Sequence, residues 1–201
     1  SGQTDSNENK DFFVRVNNKY NVGKSRFEKK YVSHFPNKID KDIFIEFNES
    51  LSPEFDMVRL TLFNKINEKE IKKIKNKYKR NIGIYSAGDS CLLVVNRFAT
   101  MERNVNIKIN HSEKKLIDRD CYKNKYPVPN FWHNEFTDEE TECNLSKDFT
   151  LYVINAESGE FLSKEKLSDG RHMPNKWKHG YSYGIAISEE QNVIIYWVVM
   201  W

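Results

Sequence analysis

The stretch NVIIYWVVMW (192–201) decides the fold: nine consecutive apolar or aromatic residues, Val193 to Trp201, close a chain that is otherwise rich in charge. A membrane-crossing helix requires roughly 20 such residues, so the run is less than half the length of a transbilayer anchor. β-branched and aromatic residues without alternation, reached through the polar turn EEQN (189–192), are the pattern of a strand covered on both faces. Val193 to Met200 is therefore expected as a central or near-central strand with a helix or second layer on each side.

Working outward, GIAIS (184–188) supplies the other arm of a hairpin through that turn. Upstream, FTLYVINA (149–156) is expected to turn through ESG into EFLSKE (160–165). Period-two alternation recurs at Phe12, Val14 and Val16, at Ile43, Ile45 and Phe47, at Val58, Leu60 and Leu62, and in NVNIKIN (104–110). CLLVVNRF (91–98) is apolar on both faces and is expected inside the sheet, joined to 104–109 by a turn at 100–103. Two helices carry terminal signals. Ser25 and Glu28 form a capping-box pair ahead of a face made by Phe27, Tyr31, His34 and Phe35, with Pro36 as the stop. In INEKEI (66–71), Asn67 caps, Glu70 answers it, Ile66 staples onto Ile71, and Asn81 is the expected left-handed terminator before IGIYS (82–86). These elements predict an α+β domain over residues 12–201, with a mainly antiparallel sheet of about ten strands, two main helices and a single core.

Of 201 residues, 38% are hydrophobic and 30% charged, a globular composition, and the net charge of +3 is too balanced to imply nucleic acid as a partner. The densest basic run, KEIKKIKNKYKR (69–80), places Ile71, Ile74 and Tyr78 at helical spacing and its lysines on the opposite, solvated face. The three cysteines include no CxxC pair, which argues against a zinc site or a thioredoxin-like motif. Cys91 reads as an inert core thiol, and a Cys121–Cys143 disulfide is the pairing open to an oxidising compartment. His172 and His179 lack the helical context of a metal pair, EFTDEETE (135–142) lacks the glycine of a calcium loop, and no cofactor is expected.

The opening SGQTDSNENKD (1–11) has no large apolar group and is expected to be disordered. It resembles the polar tether that follows the lipidated cysteine of mature bacterial envelope lipoproteins. The resemblance implies export to the cell envelope, periplasm or cell surface, with membrane attachment only through a lipid anchor upstream of Ser1.

AGDSCLL (87–93) and DGRH (169–172) together resemble the SGNH (GDSL-type) ester hydrolases. That resemblance implies Ser90 as nucleophile, His172 as general base and Asp169 as the orienting carboxylate. Taken without it, Gly88 and Asp89 belong to an ordinary turn between IGIYS and the apolar run after it.

Two irregular segments, CYKNKYPVPNFWHNEF (121–136) and DGRHMPNKWKHGYSY (169–183), concentrate aromatic rings and donors. Tyr126, Trp132, His133, Arg171, His172, Trp177, His179 and Tyr181 are the candidate ligand-binding residues, a platform for a sugar ring or planar ligand. The alternative is that Trp132 and Trp177 are lids over the ends of the sheet. The primary functional expectation is a non-catalytic exported or envelope-tethered domain that binds a ligand, such as a glycan, or an envelope protein. An SGNH-like hydrolase and a structural component of an envelope assembly are the two other readings.

Overall fold

The computed structural model describes residues 2–40, 44–50, 58–98, 108–131, 140–167 and 172–201, with side chains from residue 7. The closing run is the strand β8 (Val193–Met200), and every one of its residues is buried. It is hydrogen-bonded on both edges. Register runs from Val58↔Met200 to Lys65↔Val193 on one side and from Tyr181↔Met200 to Ser188↔Val193 on the other. The neighbours are β2 (Val58–Lys65) and β7 (Gly180–Ser188). Beyond them lie β1 (Phe44–Ser50) against β2, then β6 (Phe149–Ser158) against β7, and β3 (Gly83–Ser86) at the far edge. The order β1-β2-β8-β7-β6-β3 is antiparallel throughout. A two-stranded parallel sheet joins β4 (Val94–Val95) to β5 (Val128–Pro129). The fold is α+β with a mainly antiparallel sheet. Eight strands and four α-helices stand among the described residues, where about ten strands and two helices were expected.

Period two sorts β8 into two faces. Val193, Ile195, Trp197, Val199 and Trp201 face one buried cluster, and Ile194, Tyr196, Val198 and Met200 the other. The expected single core is thus divided by the sheet into two layers. On the tryptophan face, β7 offers only the small residues Gly180, Ser182, Gly184, Ala186 and Ser188, and the indoles of Trp197 and Trp201 lie against Gly184 and Gly180. A Cβ on Gly184 would stand 2.1 Å from the Tyr152 carbonyl and 2.6 Å from the Trp197 ring. Loops cover this layer, and Phe131 meets Trp197 edge-on at 5.5 Å. Helices cover the other.

The first of these, α1 (Gly2–Ser25), overturns two expectations: a disordered 1–11 and a strand from Phe12. FFVRV satisfies period two, but Phe13, Val16, Tyr20 and Phe27 also recur at helical spacing, and this longer stripe is what the sheet buries. Helix then propagates into the polar residues before it, since each added residue gains a hydrogen bond once a packed turn exists. Gly23 sets the contact distance, because a Cβ there would lie 2.9 Å from Phe47 and 3.1 Å from Leu60. Ser25 ends this helix instead of starting one, and its hydroxyl donates to the Val22 carbonyl at 2.7 Å. The short α2 (Lys29–Val32) follows, and the face Phe27, Tyr31, His34 and Phe35 is buried as expected.

The third helix, α3 (Glu68–Lys77), has the expected reciprocal capping box between Asn67 and Glu70. Asn81 is not left-handed; its side-chain amide donates to the Tyr78 carbonyl, and among the described residues the positive-φ asparagines are Asn96, Asn144 and Asn192. Of CLLVVNRF only Val94–Val95 is strand, although Leu92 to Val95 are all buried. These side chains roof the sheet, and Asn96 at φ 55° ends the extended run. EFLSKE is not the partner of β6, which pairs with β7 after a 21-residue connection. Only residues 108–110 of NVNIKIN are described, and they precede α4 (His111–Lys114) without strand pairing.

Candidate functional site

The candidate binding residues do not form one surface. Tyr126 and Trp177 meet at 6.3 Å with ring planes 73° apart, and Trp177 stands 6.3 Å from Trp201. Trp177 is only 4% exposed, and its carbonyl accepts the Trp201 indole N–H at 2.8 Å. Both rings are pillars under the loops. Tyr181 sits on the opposite face of β7, where Tyr31, Phe161 and Tyr183 surround it within 6.0 Å. Its hydroxyl donates to Glu157 at 3.2 Å, and burial with the Glu157 carboxylate pushes its pKa up to about 12. Trp177, in the 3-10 turn Asn175–Trp177 ahead of β7, packs into the loop-covered layer, whereas Tyr181 on β7 faces the helix-covered one. His172 lies edge-on to Phe98 at 5.8 Å in a small satellite cluster with Ile109, Leu116 and Ile117. His179 is half-buried, and its carbonyl receives the Gly159 N–H at 3.0 Å. Trp132, His133 and Arg171 lie outside the described residues.

Ser90 is exposed in a turn that Asp89 organises. One Asp89 oxygen accepts the Cys91 N–H at 2.8 Å and the other pairs with Lys125. The residues after Ser90 are not helical and the main sheet is antiparallel, so the surroundings differ from the strand-to-helix setting of the SGNH serine. Asp169 lies outside the described residues.

The cysteine pairing is corrected. Cys91 is bonded to Cys121, with Cα atoms 6.2 Å apart, and Cys143 is the free thiol. Cys143 is buried beneath Ala87, and burial raises its pKa to about 12, so it is an inert thiol of the kind assigned to Cys91. The Cys121–Cys143 expectation failed because Leu145 and Phe131 carry Cys143 into the core while Cys121 stays at the surface. Among the described residues no cluster of His, Cys, Asp or Glu is placed to hold a metal ion, and no helix is long and apolar enough to cross a membrane.

What the sequence reading missed is a cleft between the N-terminal half of α1 and the start of β1. It is an open space of about 1320 Å³. Phe12, Phe13 and Phe44 supply rings, Asn7, Asn9 and Asn18 supply amides, and Lys10, Lys38 and Asp40 supply charge. Its inner wall is tied down by Asn17. That side chain donates to the Ile39 carbonyl at 3.0 Å and accepts the Ile39 N–H at 2.7 Å, copying a backbone pair. Tyr20 adds a hydroxyl bond to the Pro36 carbonyl at 2.7 Å, and Lys24 reaches the same carbonyl at 3.1 Å. Phe12 remains 43% exposed beside this fixed wall. The signal lay in the helical stripe Phe13–Val16–Tyr20, which a period-two reading concealed.

A second polar group spans the loop layer. Arg59 Nη1 donates to the Asn130 carbonyl at 3.0 Å, and Asn130 receives the Asn144 amide at 2.6 Å while donating to the Asn96 carbonyl at 3.1 Å. Burial lowers the Arg59 pKa to about 10, with Glu46 acting in the opposite direction. This network fastens loops to the sheet; its groups already serve one another.

Fold and site together define a disulfide-bonded α+β domain with an aromatic, amide-lined cleft at one end of its sheet. Comparison of the chain with protein-family models, with curated proteins and with solved structures found no match.

Proposed function

We propose that the chain is an exported domain of the cell envelope that acts by binding, and that its ligand seat is the α1–β1 cleft. The lining of that cleft carries the reading. The exposed ring of Phe12, with the half-buried rings of Phe13 and Phe44, offers apolar surface to the C–H face of a sugar, and neighbouring asparagine amides each provide a donor and an acceptor for vicinal hydroxyls. Tyr126, Trp177 and Tyr181, which pack into the two core layers, are supports in this reading and not contacts. The Cys91–Cys121 disulfide supports an oxidising compartment.

The test is titration of the full chain with neutral and acidic oligosaccharides, followed by backbone NMR shifts and calorimetry. Shifts are expected to cluster at residues 7–18 and 38–45. Phe12→Ser and Asn18→Ala are each expected to weaken binding by about tenfold, the size of one lost ring or amide contact, with melting temperature unchanged. Absence of binding across the panel, or binding that both substitutions leave intact, removes the proposal.

A further inference from the structure

The positive charge of the chain is gathered in one place. Residues 68–80 hold seven basic and two acidic side chains, net +5 against +3 for the whole chain, so the remainder of the molecule is net negative. Period 3.6 orders this charge on α3. Ile71 is buried and Ile74 and Tyr78 are half-buried in the helix-covered layer, while Lys69, Lys72, Lys73 and Lys77 are exposed on the opposite side of the helix. Lys79 and Arg80 prolong the exposed basic run past the helix end. Lys75 pairs with Glu189, and Lys77 lies over the Tyr78 ring at 5.2 Å. Among the described residues, Lys69, Lys72, Lys73, Lys79 and Arg80 form no ion pair.

Apolar surface adjoins this patch. Five residues separate the end of α3 from β3. Within and just after that connection, Ile82 is 40% and Ile84 52% exposed. Ile84 stands opposite Tyr152, which belongs to the layer of Ile71, Ile74 and Tyr78, so its side chain rises on the side of the sheet that carries α3.

We propose that the outer face of α3, with Ile82 and Ile84 at its margin, docks on an anionic phospholipid bilayer. Charge complementarity and residue type select this occupant. Six of the seven basic residues are lysines, compact point charges that suit a fluid plane of headgroups, where one fixed phosphate would call for the planar fork of arginine. A nucleic acid would leave the two isoleucines in water, and a protein partner would need an apolar centre that the outward face of α3 lacks. At a bilayer the isoleucines enter the acyl boundary as the lysines meet the headgroups. Each uncompensated charge adds about fivefold to partitioning, so the five together place half-binding at accessible anionic lipid on the order of 0.3 mM. This docking goes beyond the cleft reading and does not depend on it.

Flotation of the full chain with vesicles tests it. Binding is expected to vesicles of phosphatidylcholine and phosphatidylglycerol in about a 2:1 ratio, with none to phosphatidylcholine alone. Raising salt from about 0.1 M to about 0.5 M is expected to release the chain. Lys72→Gln with Lys73→Gln is expected to weaken binding about 25-fold, whereas Lys114→Gln with Lys115→Gln on α4, an equal change of net charge outside the patch, is expected to alter it by less than about twofold. Ile84→Ser is expected to weaken binding about fivefold, the size of its exposed half; if its melting temperature falls, Ile82→Ser takes its place. Absence of binding to the anionic vesicles, equal loss from the α3 and α4 pairs, indifference to the isoleucine substitution, or tighter binding to duplex DNA than to the vesicles overturns the proposal.

Discussion

His34 shows how one side chain couples the helical layer to the sheet. Its Nε2 lies 3.0 Å from the Trp197 carbonyl and its ring stacks on Tyr183 at 5.2 Å. Burial depresses its pKa from 6.5 to about 4, against the partly compensating backbone bonds. A histidine that resists protonation only when folded leaves stability intact above pH 6.5 and drains it as pH falls toward 4, where the folded form also takes the proton. The total loss is about 3 kcal/mol at 1.36 kcal/mol per pKa step. Urea denaturation at pH 7 and pH 4.5 is expected to reveal this slope, and His34→Phe is expected to flatten it. The ring's place on the Phe27–Tyr31–Phe35 face was legible in the sequence; its carbonyl partner, 163 positions away, was not.

At the scale of elements, α1 and β8 make opposite lessons. β8 was readable because nine apolar residues in a row admit few alternatives, and the length excluded a membrane helix. α1 was not, because FFVRV fits two periods and the choice between them depends on what the rest of the chain buries. Gly23 is the pivot of that choice. Gly23→Val is expected to drive α1 off Phe47 and Leu60, since the added Cβ alone would sit 2.9 Å from the Phe47 ring. Hydrogen–deuterium exchange is expected to show lost protection across residues 13–24, with β7 and β8 still protected. Equal loss in β7 and β8 would mean that α1 is not a separable layer. α3, by contrast, was specified locally, because the Asn67–Glu70 box needs nothing beyond its own turn.

For the molecule as a whole, the two faces of the sheet are secured differently: helices cover one, and loops with a disulfide cover the other. Cys91 and Cys121 are 30 positions apart, and closing such a loop stabilises by about 3–4 kcal/mol on the chain-entropy account. Cys91→Ser with Cys121→Ser, or reduction of the wild type, is expected to lower the melting temperature accordingly, while Cys143 stays unreactive to thiol reagents until unfolding because its sulfur is buried. A melting curve indifferent to reduction would show that the loop layer holds without the bond. The sequence by itself determined the class, the central place of Val193–Met200 and the 184–197 hairpin, since these rest on local periodicity and turn chemistry. Only the tertiary structure decided the partner of Cys91, the helical state of residues 2–25, the separation of Tyr181 from Trp177 and the cleft beside Phe12. Each of these depends on which distant segments share a face, and that is set by burial summed over the whole chain, not by any short stretch of it.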